Sequence, residues 1–117
     1  MTEKELIDIL FGIYEAMLIR QVIVPRLEEL YDNDEISEEE CNYYERKAAD
    51  AFGAGMAVFS EKARSTEKKD VSKENVRRLL LDRDEEIICK AINDVFGSKE
   101  ECLKHFTEEE IKSWKIF

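Results

Sequence analysis

LIDILFGIYEAMLIRQVIVPRLEELY, residues Leu6 to Tyr31, is the stretch to which the rest of the chain has to be fitted. At 100° per residue, Leu6, Ile7, Ile9, Leu10, Phe11, Ile13, Tyr14, Met17 and Leu18 spread over roughly 200° of a helix, about twice the stripe of an ordinary surface helix. One neighbour cannot cover so wide a face, so the segment calls for two. Lys4, Asp8, Gly12 and Glu15 are left as a narrow polar strip, and beyond Arg20 the apolar face moves to Ile23, Leu27 and Leu30. Pro25 stands at that changeover. A proline inside a helix removes the bond to the carbonyl four residues back, that of Gln21, and its ring crowds that carbonyl. The expectation is a kink or short break between Arg20 and Pro25, with Val22, Ile23 and Val24 able to tolerate non-helical angles because they are β-branched.

Composition agrees with a helical reading. Of 117 residues, 44% are apolar and 39% charged, with four glycines and one proline, which suits a helical globular protein better than a disordered or all-β one. Residues 1–117 fit one domain by length, enough to bury roughly two thirds of the unfolded chain's surface. Cys41, Cys89 and Cys102 are an odd number at wide spacings with no CxxC pair. They read as buried or free thiols in a reducing compartment. The N-terminal MTEKELIDIL carries acids where a secretory signal carries bases. In the first helix the longest uncharged run, Ile9 to Tyr14, is far short of the roughly twenty apolar residues that span a bilayer. A soluble, cytoplasmic protein is expected.

Helix starts are marked by a recurring hexad: Met1-Thr2-Glu3-Lys4-Glu5-Leu6, Ile36-Ser37 through Cys41, Val71-Ser72 through Val76, and Phe106-Thr107 through Ile111. The hydroxyl can accept from the amide three residues on, the acid there can return the bond, and the flanking apolar pair can staple the turn. Asn75 is the one imperfect partner. The caps fall at 2, 37, 72 and 107, a 35-residue spacing close to that of tetratricopeptide-type repeats. Nothing else aligns, since Phe11, Arg46 and Leu81 occupy equivalent places. The expected fold is therefore all-α: an antiparallel bundle of three long helices, with one or two short C-terminal ones.

The second helix is expected from Glu38 to Ala63 or Arg64. Its buried stripe is Cys41, Tyr44, Ala48, Phe52, Gly55, Phe59 and Ala63. Small residues at Ala48, Ala51 and Gly55 let another helix come close. The AFGAGMAVF run lacks the Lys-Ser/Thr ending of a phosphate loop, so close packing is preferred to nucleotide binding. Ser65 to Asp70 reads as a turn. The third helix opens at Ser72, but Asp82-Arg83-Asp84 interrupts it, because an unbroken helix would bury Asp84 amid Leu80, Ile87, Ile88, Ala91 and Val95. Either the helix restarts near Asp82, the preferred reading, with Asp82 as cap and Glu85 completing a box, or Asp84 finds a basic partner such as Arg77. Gly97 caps the end of this element. Ser98 starts a short helix to His105, and Thr107 starts the last, ending in an exposed-looking Trp114 to Phe117.

Little chemistry can be nominated. Cys102 and His105, one turn apart, are the only thiol–imidazole pair, and Cys102 sits where a staple residue should be buried. No Glu-x-x-His pair or other metal set is present, and no cofactor is expected. Glu38, Glu39 and Glu40 fit the first turn of a helix, where acids favour the dipole. Charge layout says more. From Glu28 to Asp50 ten acids face two bases, whereas from Glu61 to Arg78 seven bases face four acids. A bundle would form a rod roughly 40 Å long from the 1.5 Å rise, acidic at one end and basic at the other.

Glu28, Glu29, Asp32, Asp34, Glu35, Glu38, Glu39 and Glu40 are thus a candidate surface for a protein partner. Lys68, Lys69, Lys73, Arg77 and Arg78 are a candidate anion site. Leu6, Leu10, Ile13, Tyr14 and Met17 are a candidate dimer or partner interface. Three functions fit these features. The first is a non-enzymatic interaction module, homodimeric, acting as regulator, inhibitor or adaptor. The second is an acidic nucleic-acid mimic of the phage anti-defence type, an analogy of size and charge. The third is a small helical hydrolase or thiol enzyme. Direct nucleic-acid binding is disfavoured by a net charge of −10.

Overall fold

In the computed structural model, which describes residues 2–62 and 72–115, each hydroxyl marked in the sequence caps a helix. The order is α1 (Glu3–Leu18), a π-helical turn (Ile19–Ile23), α2 (Val24–Asp32), α3 (Glu38–Lys62), α4 (Lys73–Leu80), α5 (Asp84–Phe96), α6 (Lys99–Leu103) and α7 (Glu108–Ser113). Thr2, Ser37, Ser72, Ser98 and Thr107 each accept the amide of the residue three places on, at 3.1 to 3.2 Å. At Ser37 the box closes both ways, because Glu40 Oε1 accepts the Ser37 amide at 3.3 Å. No strand occurs among the described residues. The expected end of the second helix at Ala63 or Arg64, the Ser65–Asp70 turn and Ile116–Phe117 lie outside them.

Pro25 does not break the first helix. Ile19, Ile23 and Val24 all keep right-handed helical angles, so the tolerance of these β-branched residues for non-helical angles is not drawn on. A π turn takes up the proline instead. The Val24 amide donates to Ile19 O, five residues back. The carbonyl of Arg20 thereby loses both of its candidate donors, Val24 because it reaches past and Pro25 because it has no N–H. Arg20 is exposed, so water can satisfy that carbonyl.

The wide apolar face of α1 is covered from several sides by the same chain. Leu6 and Leu10 pack with Val76, Leu79 and Leu80 of α4. Leu18 and Ile19, with Ile23, Leu27 and Leu30 beyond, share a larger cluster with Cys41, Tyr44 and Ala48 of α3 and Ile88, Ala91, Ile92 and Val95 of α5. Where α1 crosses α3 the backbones nearly touch. A Cβ built on Gly55 would lie 2.5 Å from Gly12 O, so only glycine fits there. The close approach expected of the small residues in α3 falls on Gly55, while Gly53 has open space around it.

The third long helix is two helices. The chain leaves α4 after Leu80, Asp82 takes a left-handed φ of 64°, and α5 begins at Asp84. The restart is where the sequence places it, but the cap is Arg83, without a side-chain bond, and not Asp82. Asp84 is half-buried in the first turn, where the helix dipole favours an acid. Gly97 ends α5 at φ 83°, its amide on Asn93 O at 3.0 Å. Trp114 corrects the expectation of an exposed tail: it is 3% exposed, with its ring edge-on to Phe106 at 5.1 Å. The molecule measures 47 × 26 × 20 Å, elongated as the helix lengths require.

Candidate functional site

The acidic corner is assembled by two helix ends and the turn between them. α2 finishes in a Schellman motif: the Glu35 amide donates to Leu30 O at 2.8 Å and the Asp34 amide to Tyr31 O at 3.1 Å. Asp34 holds the left-handed position at φ 58°, which glycine usually fills and a short acid tolerates. Ile36 is buried next to it, and the Ser37 box then starts α3. Local hydrogen bonding therefore fixes the backbone from Leu30 to Cys41. Asp32, Asp34, Glu35, Glu38, Glu39 and Glu40 on it, and Glu28 and Glu29 in the turn of α2 just before it, are all exposed.

Among the described residues, Glu29 and Glu40 have close side-chain partners on other elements or turns. Arg26 bridges Glu29 and Glu110 of α7, and its guanidinium lies 5.9 Å from the Phe106 ring centre, tying the last helix to the corner. Glu40 Oε2 lies 3.7 Å from His105 Nε2. The field of the rest is felt by the buried Cys41 thiol. Burial pushes its pKa up, and the charges of Glu45, Glu28 and Asp32 push it further.

A polar network adjoins this corner. Tyr44 OH donates to Glu101 Oε1 at 3.1 Å and stands 3.1 Å from His105 Nε2. A phenol has one proton to give; with that proton on the carboxylate, Nε2 must itself carry hydrogen and donate to the tyrosine oxygen. Burial, then Glu101, pushes the Tyr44 phenol up to about 12, so it stays a donor. His105 is thus engaged by Tyr44 and Glu40 rather than by Cys102. The Cys102 thiol is fully buried and pushed up to about 12, by burial first and by Glu110 second. That is the buried staple position read from the sequence.

The other candidates are distributed differently. Lys73, Arg77 and Arg78 are exposed on α4, where Arg78 donates to Asn75 Oδ1 at 2.8 Å and faces Glu3 at 3.8 Å; Lys68 and Lys69 lie outside the described residues. Of the candidate interface, Leu6 and Leu10 are 4% and 3% exposed beneath α4, while Ile13, Tyr14 and Met17 are half-buried. Between α5 and α7 a groove floored by Ile88, Ile92 and Ile111 is edged by Asp84 and Glu85 of α5 on one side and by Lys112 of α7 and Lys115 just beyond it on the other.

One charged residue departs from the expectation set by the sequence. Glu15, assigned to the polar strip of α1, is 2% exposed, and its carboxylate accepts from Lys90 Nζ of α5 at 3.0 and 3.1 Å. Its signal was faint: on a helix whose apolar arc leaves so little polar circumference, an acid beside Ala16 has little room to reach water. Among the described residues, no group of three or more His, Cys, Asp or Glu is placed to hold a metal ion, and no helix is long and apolar enough to cross a membrane. No protein-family model matches the chain, and neither a curated protein nor a solved structure is detectably similar to it.

Proposed function

We propose that this protein works by binding another protein, as a regulator, inhibitor or adaptor, through the acidic corner between α2 and α3. The observation that carries this reading is that eight carboxylates are all exposed on the end of α2, the start of α3 and the turn between them, whose backbone is fixed by its own caps. Fixed charges cost less to bring to a partner than charges on a loose loop, and they steer encounter with a basic surface. The reading takes α1–α2, α3 and α4–α5 as the legs of an antiparallel bundle with this corner at one end. It places the protein in the cytoplasm, in keeping with three free cysteines.

The narrower version is that the corner imitates a phosphate backbone and occupies a nucleic-acid-binding protein, in keeping with a net charge of −10. One experiment addresses both. The partner is captured from the native host, and its affinity for wild type is compared with that for a Glu28→Gln, Asp32→Asn, Glu38→Gln, Glu39→Gln variant over a salt series. The expected result is at least a tenfold loss and a flatter salt dependence; an unaltered complex removes the corner from the reading. Displacement of the partner by duplex DNA supports the mimic, and indifference to DNA removes it. The proposal also includes a homodimer through Ile13 and Met17. Light scattering that finds only monomer at high concentration removes that element.

A further inference from the structure

Glu15 is the one fully buried charged side chain among the described residues, and the helix that neutralises it belongs to a distant part of the chain. Lys90 Nζ on α5 donates to both of its oxygens, and the same ammonium donates to Asp94 Oδ2 at 3.1 Å. Two acids share one base, so the fully ionised triad keeps one surplus negative charge. Asp94 is 38% exposed and can leave its share to water, whereas Glu15 cannot. Among the described residues, the other elements against α1 offer no relief. Arg20 of the π turn lies over the Phe52 ring at 5.6 Å, and Arg78 of α4 turns to Glu3 and Asn75. α3 brings Gly55 against Gly12 and Ala16, and among the described residues the charged groups that act most on the Glu15 carboxyl are Lys90 and Asp94.

We propose that Glu15, Lys90 and Asp94 form a proton-controlled latch between α1 and α5. With Glu15 ionised, the ammonium is held across the interface. When Glu15 takes a proton from solvent, Lys90 is left to Asp94 within α5, and the neutral carboxyl can itself donate to Asp94. The balance point lies near neutrality: burial, then the bond to Asp94, raises the Glu15 carboxyl to about 7, against the opposing pull of Lys90. Burial works against the Lys90 ammonium, but the two carboxylates outweigh it and raise its pKa, so the lysine stays charged throughout. A carboxyl raised on folding binds its proton more tightly in the folded chain. Its contribution to stability is complete below the unfolded value of 4.5 and is lost as pH rises through about 7.

Carbon-detected NMR of the Glu15 carboxyl in the full chain, between pH 4 and 9, tests this directly. The expected midpoint is near 7, lowered by Asp94→Asn and raised by Lys90→Met. A midpoint near 4.5, or one that neither variant moves, overturns the latch. In parallel, the urea unfolding constant of wild type is expected to rise by roughly tenfold or more from pH 5 to pH 8 beyond any change in Glu15→Gln. Identical profiles overturn it as well. Should Glu15→Gln fail to fold, the wild-type titration decides alone.

Discussion

The crossing of α1 with α3 and the corner between α2 and α3 place their acidic and backbone groups in opposite settings. At the crossing, two glycine backbones touch and a carboxylate is sealed beneath α5, so each atom there has a fixed neighbour. At the corner eight carboxylates face water, and what is fixed is the main chain beneath them. Tight packing makes a region intolerant of change, whereas capped and solvated acids can be replaced at little structural cost. Stability and surface charge are thereby assigned to separate stretches, as the proposed recognition role of the corner requires.

The sharpest break in this contrast should come from Gly55→Ala. Its methyl would meet Gly12 O at 2.5 Å, and forcing two helix backbones apart is expected to cost about 1–3 kcal/mol in urea unfolding. Gly12→Ala is the control: its methyl would stand 3.6 Å from Gly55, an ordinary contact, so the better helix propensity should leave stability equal or higher. Equal losses for both would mean that the crossing is looser than described. At the corner, Ser37→Ala removes an N-cap and should cost roughly 1 kcal/mol by the same measurement, because Glu40 N–H loses its acceptor. Asp34→Gly should stabilise by about 0.5–1 kcal/mol, since glycine adopts φ 58° without a Cβ penalty. Any destabilisation there would show that the Asp34 side chain supports the turn. Smallest of all, Glu28→Gln, Asp32→Asn, Glu38→Gln and Glu39→Gln should each shift stability within about 0.5 kcal/mol, the usual range for exposed sites. A larger loss would place these acids in the structural group.

Those two regions were also unequally legible in the sequence. Caps are local, three residues from donor to acceptor, so Thr2, Ser37, Ser72, Ser98 and Thr107 could be read directly. The acidic candidates followed from a charge count, and the restart near Asp82 from the cost of burying Asp84. Pro25 announced an irregularity but not its form, because a π turn absorbs the missing donor while β-branched neighbours stay helical. Asp34 hid the Schellman motif, since the position ordinarily signals itself with glycine. The Glu15–Lys90 pair was out of reach: its members are 75 residues apart, and nothing local to either names the other. Trp114 is a different case: its ring partner Phe106 is only a short helix away, but the sequence does not show that α7 turns both rings to the same side.

The contact of Gly55 with the Gly12 backbone bears on how kin of this chain would be recognised. Caps, surface acids and aliphatic core residues are interchangeable with others of their kind, so drift can erase them without disturbing the fold. A position where a single methyl meets a carbonyl oxygen has no such freedom, and a buried acid cannot change unless its lysine changes too. Descent would therefore be recorded at three places, glycine at 55, an acid at 15 and a base at 90, long after overall identity had faded.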